Sequence, residues 1–116
     1  MHEVSVANSI IDIIQSAIPK ESNGYVCSVL IKVGALSSIE VDALQFAFDI
    51  VKARTLLAKA VLKMEIVEGK GQCTQCGCEF SMNSYAIPCP DCDSYLIKII
   101  QGKEMKVISF ELEDEG

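Results

Sequence analysis

The sequence predicts an α/β fold: a small mixed domain of two helices and three strands, with an inserted zinc-ribbon-like lobe. Three observations predict this class. Apolar residues recur at helical spacing in two segments and alternate in three others. Two CxxC pairs lie together in the second half of the chain, and the composition around them becomes polar and rich in turn-forming residues. We therefore expect one domain formed by residues 1–68 plus 103–116, and a lobe formed by residues 69–102.

The first helix is predicted from about Val4 to Ile18, where apolar residues follow helical spacing and Pro19 then ends the pattern. A turn leads into a strand from Tyr25 to Val33. Cys27 is expected to be buried in this strand as a small hydrophobic residue, on the face that also carries Val29, Ile31 and Val33.

The remaining elements of the domain are one helix and two strands. The segment Ser37–Glu40 matches a capping box and predicts a second helix, with a buried face formed by Val41, Leu44, Phe48 and Val51. Alternation from Ala60 to Val67 predicts a second strand, in which Ala60, Leu62, Met64 and Ile66 share a face. A third strand is predicted from Glu104 to Leu112, with one face formed by Ile108, Phe110 and Leu112.

Length and charge exclude several classes of protein. A chain of 116 residues with 50% hydrophobic composition can bury one core, and a metal site can stabilise a small extra lobe. The formal charge of −6, with 10 basic against 16 acidic residues, argues against nucleic acid as a partner. No apolar stretch approaches the ~20 residues that span a bilayer, and no secretory signal is evident. We therefore expect a cytoplasmic protein without a membrane partner, whose thiols are reduced or metal-bound.

Four of the six cysteines form the strongest chemical motif of the chain, Cys73-x2-Cys76 followed by Cys89-x2-Cys92. Each CxxC turn delivers two thiolates to one edge of a tetrahedron, and the intervening loop lets the second turn fold over the first. The spacing therefore predicts a structural zinc site. Disulfide pairing of the same cysteines is the structural alternative.

The residues around these pairs predict finer features of the site. Gly77 suits the turn that closes the first CxxC knuckle, whereas Asp93 stands at the same position after the second, which we expect to be less regular. Cys78 follows the first knuckle closely enough to exchange into the site. We interpret it as a spare thiol.

The start Met1-His2-Glu3 contains the only histidine of the chain. A free α-amine followed by a histidine closes fused chelate rings through the terminal nitrogen, the His2 backbone nitrogen and the His2 imidazole. Such nitrogen ligands favour square-planar Ni(II) or Cu(II). Glu3 could add an axial oxygen, or could simply place an acid at the positive end of the first helix. A solvated terminal histidine is the simpler alternative.

Several of these features together resemble the HypA family of hydrogenase nickel incorporation proteins. They are the start Met-His-Glu-x-Ser, the strand end Val33-Gly34 before a capped helix, the ordered CxxC pairs and the segment Gln101–Met105. The resemblance covers nearly the whole chain. It implies a nickel metallochaperone that helps deliver Ni(II) to the large subunit of [NiFe]-hydrogenase with the GTPase HypB.

The resemblance also implies a residue assignment. The nickel ligands would be the Met1 amine, His2 and Glu3. The ligands of a structural zinc ion, Zn(II), would be Cys73, Cys76, Cys89 and Cys92. The chain has no GxxxxGK[ST] phosphate loop, so nucleotide hydrolysis would belong to the partner. Whether the protein acts as a monomer or a homodimer stays open.

Other functions fit parts of the pattern. Rubredoxin-like knuckles could hold iron in an electron carrier, and a zinc-ribbon adaptor for protein interactions would have an incidental histidine. A metal-dependent enzyme fits less well, because four cysteines saturate zinc and leave no position for water. No Cys-His or Ser-His pair is available for nucleophilic catalysis once His2 is assigned to nickel.

Overall fold

The computed structural model describes residues 3–20 and 24–114. Within them lie two α-helices and six strands, in the order α1 (Glu3–Ala17), β1 (Gly24–Gly34), α2 (Val41–Val51), β2 (Val61–Val67), β3 (Lys70–Cys73), β4 (Glu79–Ser81), β5 (Ile97–Gln101) and β6 (Met105–Asp114). A short 3₁₀ helix, Lys52–Arg54, follows α2. The strands form two three-stranded sheets with the orders β2-β1-β6 and β4-β3-β5. The predicted mixed α/β class is confirmed.

The chain divides into two compact units. The first comprises Met1–Ile31, Ile39–Met64 and Val107–Gly116, and the second comprises Lys32–Ser38 and Glu65–Lys106. Strands β1, β2 and β6 contribute residues to both units. Among the described residues, no helix is both long and apolar enough to cross a membrane.

The core of the first unit contains the packed helices α1 and α2 and the buried residues of β1. Helix α1 ends at Ala17, two residues before Pro19, as its apolar periodicity predicts. The buried side chains come at helical or alternating spacing: Val6, Ala7, Ile10, Ile11 and Ile14 from α1, Leu44, Ala47 and Phe48 from α2, and Val26, Val29 and Ile31 from β1.

The start of α2 differs from the predicted capping box. The N-cap residue is Glu40, whose carboxylate accepts a hydrogen bond from the backbone N–H of Asp42 at 3.4 Å. Ser37 is not the cap, because the chain turns at this point and Ser38 has a left-handed φ of 66°. Turn formation therefore competes with an earlier helix start and prevails. On the predicted buried face, Leu44 and Phe48 are buried, whereas Val41 and Val51 are half-buried.

The expectation that Cys27 is buried with Val29 was wrong. The alternation of buried residues along β1 shifts by one position between Val26 and Val29. Cys27 therefore falls on the other face, where it is half-buried and its thiol donates to the Glu111 carbonyl oxygen at 3.5 Å. A one-residue shift of this kind moves every following side chain to the opposite face of a strand.

Strands β2 and β6 form the edges of the first sheet and are poorly covered. Leu62 of β2 is buried, but Ile66 on the predicted same face is 55% exposed. On β6, Ile108 is 46% and Leu112 38% exposed, and Phe110 is half-buried. Strands β2 and β6 have a neighbouring strand on one side only, and an alternating pattern in such edge strands does not imply full burial.

Close backbone contacts hold the segment Lys32–Ser38 within the second unit. The backbone N–H of Ala35 donates to the Val67 carbonyl oxygen at 2.9 Å, and that of Leu36 donates to Gly102 at 2.8 Å. A Cβ at Gly34 would collide with the Gly102 carbonyl oxygen, so glycine permits this approach. Tyr85, between the CxxC pairs, donates its hydroxyl to the Leu36 carbonyl oxygen at 2.7 Å.

Candidate metal centre

The second sheet positions the two knuckles. Strand β3 lies between β4 and β5 and pairs antiparallel with both, so that Gly71 lies opposite Phe80 and Cys73 opposite Ile97. Cys73 is the last residue of β3, and the first knuckle therefore begins where the strand stops. The second knuckle begins at Cys89, eight residues before β5 starts at Ile97.

The structure brings all four predicted zinc ligands together. The sulfurs of Cys73, Cys76, Cys89 and Cys92 all lie within 4.8 Å of one another. Contacts between the knuckles are shorter: 3.5 Å from Cys73 to Cys92 and 3.6 Å from Cys76 to Cys89. A tetrahedral zinc with Zn–S bonds of about 2.3 Å spaces its sulfurs about 3.8 Å apart. The geometry of the donors therefore fits a tetrahedral thiolate site.

The cluster has a buried side and an exposed side. Cys73 and Cys89, the first cysteine of each pair, are buried, whereas Cys76 and Cys92 are exposed. Each buried sulfur also accepts a backbone hydrogen bond of 3.4 Å, from the N–H of Gln75 in the first knuckle and of Asp91 in the second. Such N–H donors stabilise a thiolate and orient it toward the metal.

The two knuckles repeat the same backbone hydrogen bonds. The residue after each pair donates its N–H to the carbonyl oxygen of the first cysteine, both at 2.9 Å, from Gly77 to Cys73 and from Asp93 to Cys89. These two donors both have left-handed backbones, with φ of 80° at Gly77 and 62° at Asp93. The expectation of a less regular second knuckle was therefore wrong. Aspartate tolerates the left-handed region better than most residues, although at a cost in free energy.

This equivalence predicts opposite effects for reciprocal substitutions. Asp93→Gly should stabilise the metal-loaded protein by about 0.5–1 kcal/mol, because glycine has no steric penalty at positive φ. Gly77→Asp should destabilise it by a similar amount through the backbone penalty rather than through a clash of the added Cβ, which has no atom within 4 Å. Thermal unfolding of both metal-loaded variants measures the two effects. Shifts of the same sign would contradict the equivalence of the knuckles.

Electrostatics within the cluster favour a bound cation. Backbone N–H donors, that of Cys76 first and then that of Gln75, lower the pKa of the Cys73 thiol to about 6 despite its burial. The N–H of Ser94 lowers the pKa of Cys92, but hydrogen bonds with the other cysteine sulfurs, Cys73 first, and partial desolvation outweigh it and raise this pKa to about 12. Without a metal, these contacts favour ionisation of Cys73 and disfavour ionisation of Cys92. A divalent cation would stabilise all four thiolates.

Cys78 lies outside this group of four sulfurs. It is half-buried, and its thiol donates to the Glu79 carbonyl oxygen at 3.7 Å. A hydrogen bond with the Asp91 carboxylate, together with burial, raises the pKa of Cys78 to about 11. Its position outside the group of four sulfurs agrees with its interpretation as a spare thiol.

Of the three predicted nickel ligands, Met1 and His2 lie outside the described residues. Glu3 is the first residue of α1, and its carboxylate accepts a hydrogen bond of 3.3 Å from the backbone N–H of Glu40. The Glu3 side chain therefore lies beside the N-cap of α2. Assignment of nickel to Met1, His2 and Glu3 stays a prediction.

Comparison with known proteins identifies the family of this chain. Residues 1–112 match the family model described as hydrogenase/urease nickel incorporation, metallochaperone, hypA. The chain belongs to the HypA family. Proteins named hydrogenase maturation factor HypA are similar over nearly their whole lengths. The protein from Parabacteroides distasonis is 37% identical over 115 residues, which cover 99% of this chain and 100% of the relative. The one from Geobacter metallireducens is 38% identical over 114 residues, covering 97% and 100%.

A solved HypA structure also has a similar fold. The solution structure of the Ni metallochaperone HypA from Helicobacter pylori matches with a TM-score of 0.69 and 28% sequence identity, and the match covers 99% of this chain and 100% of the other. The predicted membership of the HypA family is thereby confirmed. The family description names HypA proteins as metallochaperones for nickel incorporation into hydrogenase or urease. The relatives are named as hydrogenase maturation factors.

The sequence predicts that knuckle turns, with Gly77 and Pro90, aim backbone N–H groups at the sulfurs, but it does not single out the individual donors or the hydrogen bond of Tyr85. The N–H groups of Gln75 and Asp91 lie two residues after the first cysteine of each pair, so the CxxC spacing itself would have located them. The hydrogen bond from the Tyr85 hydroxyl to the Leu36 carbonyl oxygen joins residues 49 positions apart. No local pattern in the sequence indicates a contact of this kind.

Proposed function

We propose that this HypA chain is a nickel metallochaperone that binds Ni(II) at its N-terminus and helps insert it into the large subunit of [NiFe]-hydrogenase. The observation that carries the proposal is the family match, which begins at residue 1 and so includes the Met1-His2-Glu3 start. Nickel is the transferred cargo in this proposal. The four-cysteine site is a separate and structural metal site.

The proposed nickel ligands are the Met1 α-amine, the His2 backbone nitrogen and imidazole, and Glu3 as a source of an axial oxygen. A terminal site with few side-chain ligands favours release as well as binding, which a metal carrier requires. Protons compete with nickel for these nitrogens, because unperturbed α-amine and imidazole groups have pKa values of about 7.7–8.0 and about 6.5. Nickel affinity should therefore fall as the pH decreases through neutrality.

The proposed zinc ligands are Cys73, Cys76, Cys89 and Cys92. Their sulfur spacing supports a tetrahedral site, and the N–H groups that donate to the two buried sulfurs support their thiolate form. Zinc would supply folding free energy to a lobe of residues 69–102. The nickel-binding domain would comprise residues 1–68 plus 103–116.

The proposed partners are the hydrogenase large subunit and the GTPase HypB. The chain has no phosphate-binding loop of its own, so a partner would supply nucleotide hydrolysis. We propose a cytoplasmic location on the basis of this role and of cysteines suited to metal binding in a reducing compartment.

Nickel titration of zinc-loaded protein tests the proposal. Protein with a native N-terminus is expected to bind about one equivalent of Ni(II), whereas protein with an acetylated N-terminus should lose this binding, because the terminal amine is then no longer available as a donor. Calorimetry and the absorbance of square-planar nickel measure the uptake, and zinc content should be equal in both samples. Equal nickel binding by both, or by neither, would contradict the proposal and favour a zinc-ribbon adaptor.

A further inference from the structure

The turn that follows the second knuckle exposes two adjacent large apolar side chains. Tyr95 is 67% and Leu96 60% exposed. Both lie between Cys92, a member of the four-cysteine site, and Ile97, the first residue of β5. A single exposed apolar residue is common on protein surfaces, whereas neighbouring ones mark sites of interaction. This turn is therefore a candidate binding surface of the second unit.

Hydrogen bonds fix the backbone of this turn although its side chains are exposed. The Leu96 N–H donates to the Ser94 hydroxyl at 3.1 Å, and the Ile97 N–H donates to the Tyr95 carbonyl oxygen at 3.0 Å. The Leu96 carbonyl oxygen accepts two bonds from Thr74 in the first knuckle, from its N–H at 2.9 Å and from its hydroxyl at 2.7 Å. A surface that is ordered before binding loses less conformational entropy when a partner covers it.

The same hydrogen bonds determine how a partner can bind. Addition of a partner strand requires free backbone N–H and C=O groups. Both backbone polar groups of Leu96 are already used within the lobe. Recognition must therefore occur through the side chains. The Leu96 side chain offers apolar area, and the Tyr95 ring offers both apolar area and an aromatic face that attracts a cation.

The charge around the turn is negative. Between residues 89 and 96 the only charged side chains are those of Asp91 and Asp93, and both residues are exposed. The two lysines of the lobe, Lys70 and Lys98, lie in β3 and β5. A zinc ion in the adjacent site would add further negative charge, because four thiolates outnumber its two positive charges. Such a surface repels nucleic acid and anionic lipid and attracts a basic segment.

We propose that Asp91, Asp93, Tyr95 and Leu96 form a docking surface, the knuckle surface, for a segment of another protein in which lysine or arginine residues flank apolar ones. Apolar side chains of that segment cover Leu96, and its cations lie over the Tyr95 ring and beside the two carboxylates. The knuckle surface contains none of the proposed nickel or zinc ligands. It therefore adds the binding of a protein partner to the metal-binding functions, and its test does not depend on nickel.

Titration of the isotope-labelled, zinc-loaded full chain with a short peptide, followed by NMR, tests the knuckle surface. The probe is an end-blocked peptide of sequence Gly-Arg-Leu-Leu-Arg-Gly, and its matched control is Gly-Glu-Leu-Leu-Glu-Gly. We expect the basic peptide alone to shift the amide resonances of residues 91–96, and added salt to weaken its binding. Equal shifts with both peptides, or no shifts with the basic one, would overturn the proposal. So would shifts of these resonances on dilution of the protein alone, which would assign the surface to a second copy.

Substitutions test the location of the surface. Tyr95→Ser and Leu96→Ser should each weaken binding of the basic peptide about tenfold, as truncation of a central contact does at protein interfaces. Asp93→Asn keeps a residue type that tolerates the left-handed φ, and it should reduce the salt dependence. The control Val61→Ser removes an apolar side chain of similar exposure, 59%, from β2 and should leave binding unchanged. Zinc content and thermal unfolding verify that each variant is folded. Wild-type binding by Leu96→Ser, or equal weakening by Val61→Ser, would refute this location.

Discussion

Replacement of Cys89 by serine is expected to remove the metal from the four-cysteine site and to unfold the strands around it. Cys89 is fully buried, and its sulfur lies 3.6 Å from that of Cys76 and accepts the N–H of Asp91. Structural zinc contributes about 10–16 kcal/mol of apparent binding free energy in small zinc domains, so loss of one thiolate removes most of the stability of such a lobe. Metal analysis and limited proteolysis of residues 65–106 measure the result.

The matched control for this variant is Cys78→Ser. Cys78 lies two residues beyond the first pair but outside the group of four sulfurs, so this variant should retain its zinc and its resistance to proteolysis. In Cys89→Ser the circular dichroism of α1 and α2 should persist, because the buried residues of these helices form a core of the first unit. Zinc retention by Cys89→Ser, or zinc loss from Cys78→Ser, would contradict the assigned ligand set.

The sequence predicted the features that depend on local patterns. The apolar period of α1 and the proline after it located that helix to within about one residue at each end, because helix burial repeats within a few residues. The CxxC pairs predicted the sulfur cluster for a similar reason, since each pair places two thiolates within one turn. The four cysteines were therefore identified without knowledge of the fold.

Other features depended on contacts between distant segments or on backbone conformation, and the sequence did not reveal them. The segment Lys32–Ser38 belongs to the second unit because its backbone N–H groups form hydrogen bonds with Val67 and Gly102, which are more than 30 residues away in the sequence. Cys27 left its predicted face because the alternation of β1 shifts by one residue. Asp93 adopts a left-handed φ that its residue type allows but does not require.

Replacement of His2 by alanine is expected to abolish high-affinity nickel binding while zinc content stays unchanged. The variant lacks the imidazole and with it one chelate ring, and the chain has no second histidine to replace it. Loss of an outer partner of a metal ligand alone costs about 10–100-fold in affinity, so loss of the ligand itself should cost more than about a hundredfold. Calorimetric titration measures the affinity. Nickel content of the hydrogenase large subunit, in cells that carry the variant, measures delivery.

Glu3→Gln tests whether Glu3 acts as a nickel ligand or only as the hydrogen-bond acceptor for the Glu40 N–H. The Glu3 carboxylate accepts a hydrogen bond from the Glu40 N–H in the protein as described, and an amide oxygen can accept the same bond. This variant should therefore keep its helical content and lose less nickel affinity than His2→Ala, because only an axial oxygen is weakened. Equal loss of nickel affinity in His2→Ala and Glu3→Gln would contradict the purely axial role of Glu3. If His2→Ala retains wild-type affinity and hydrogenase still receives nickel, the N-terminal site does not carry the cargo.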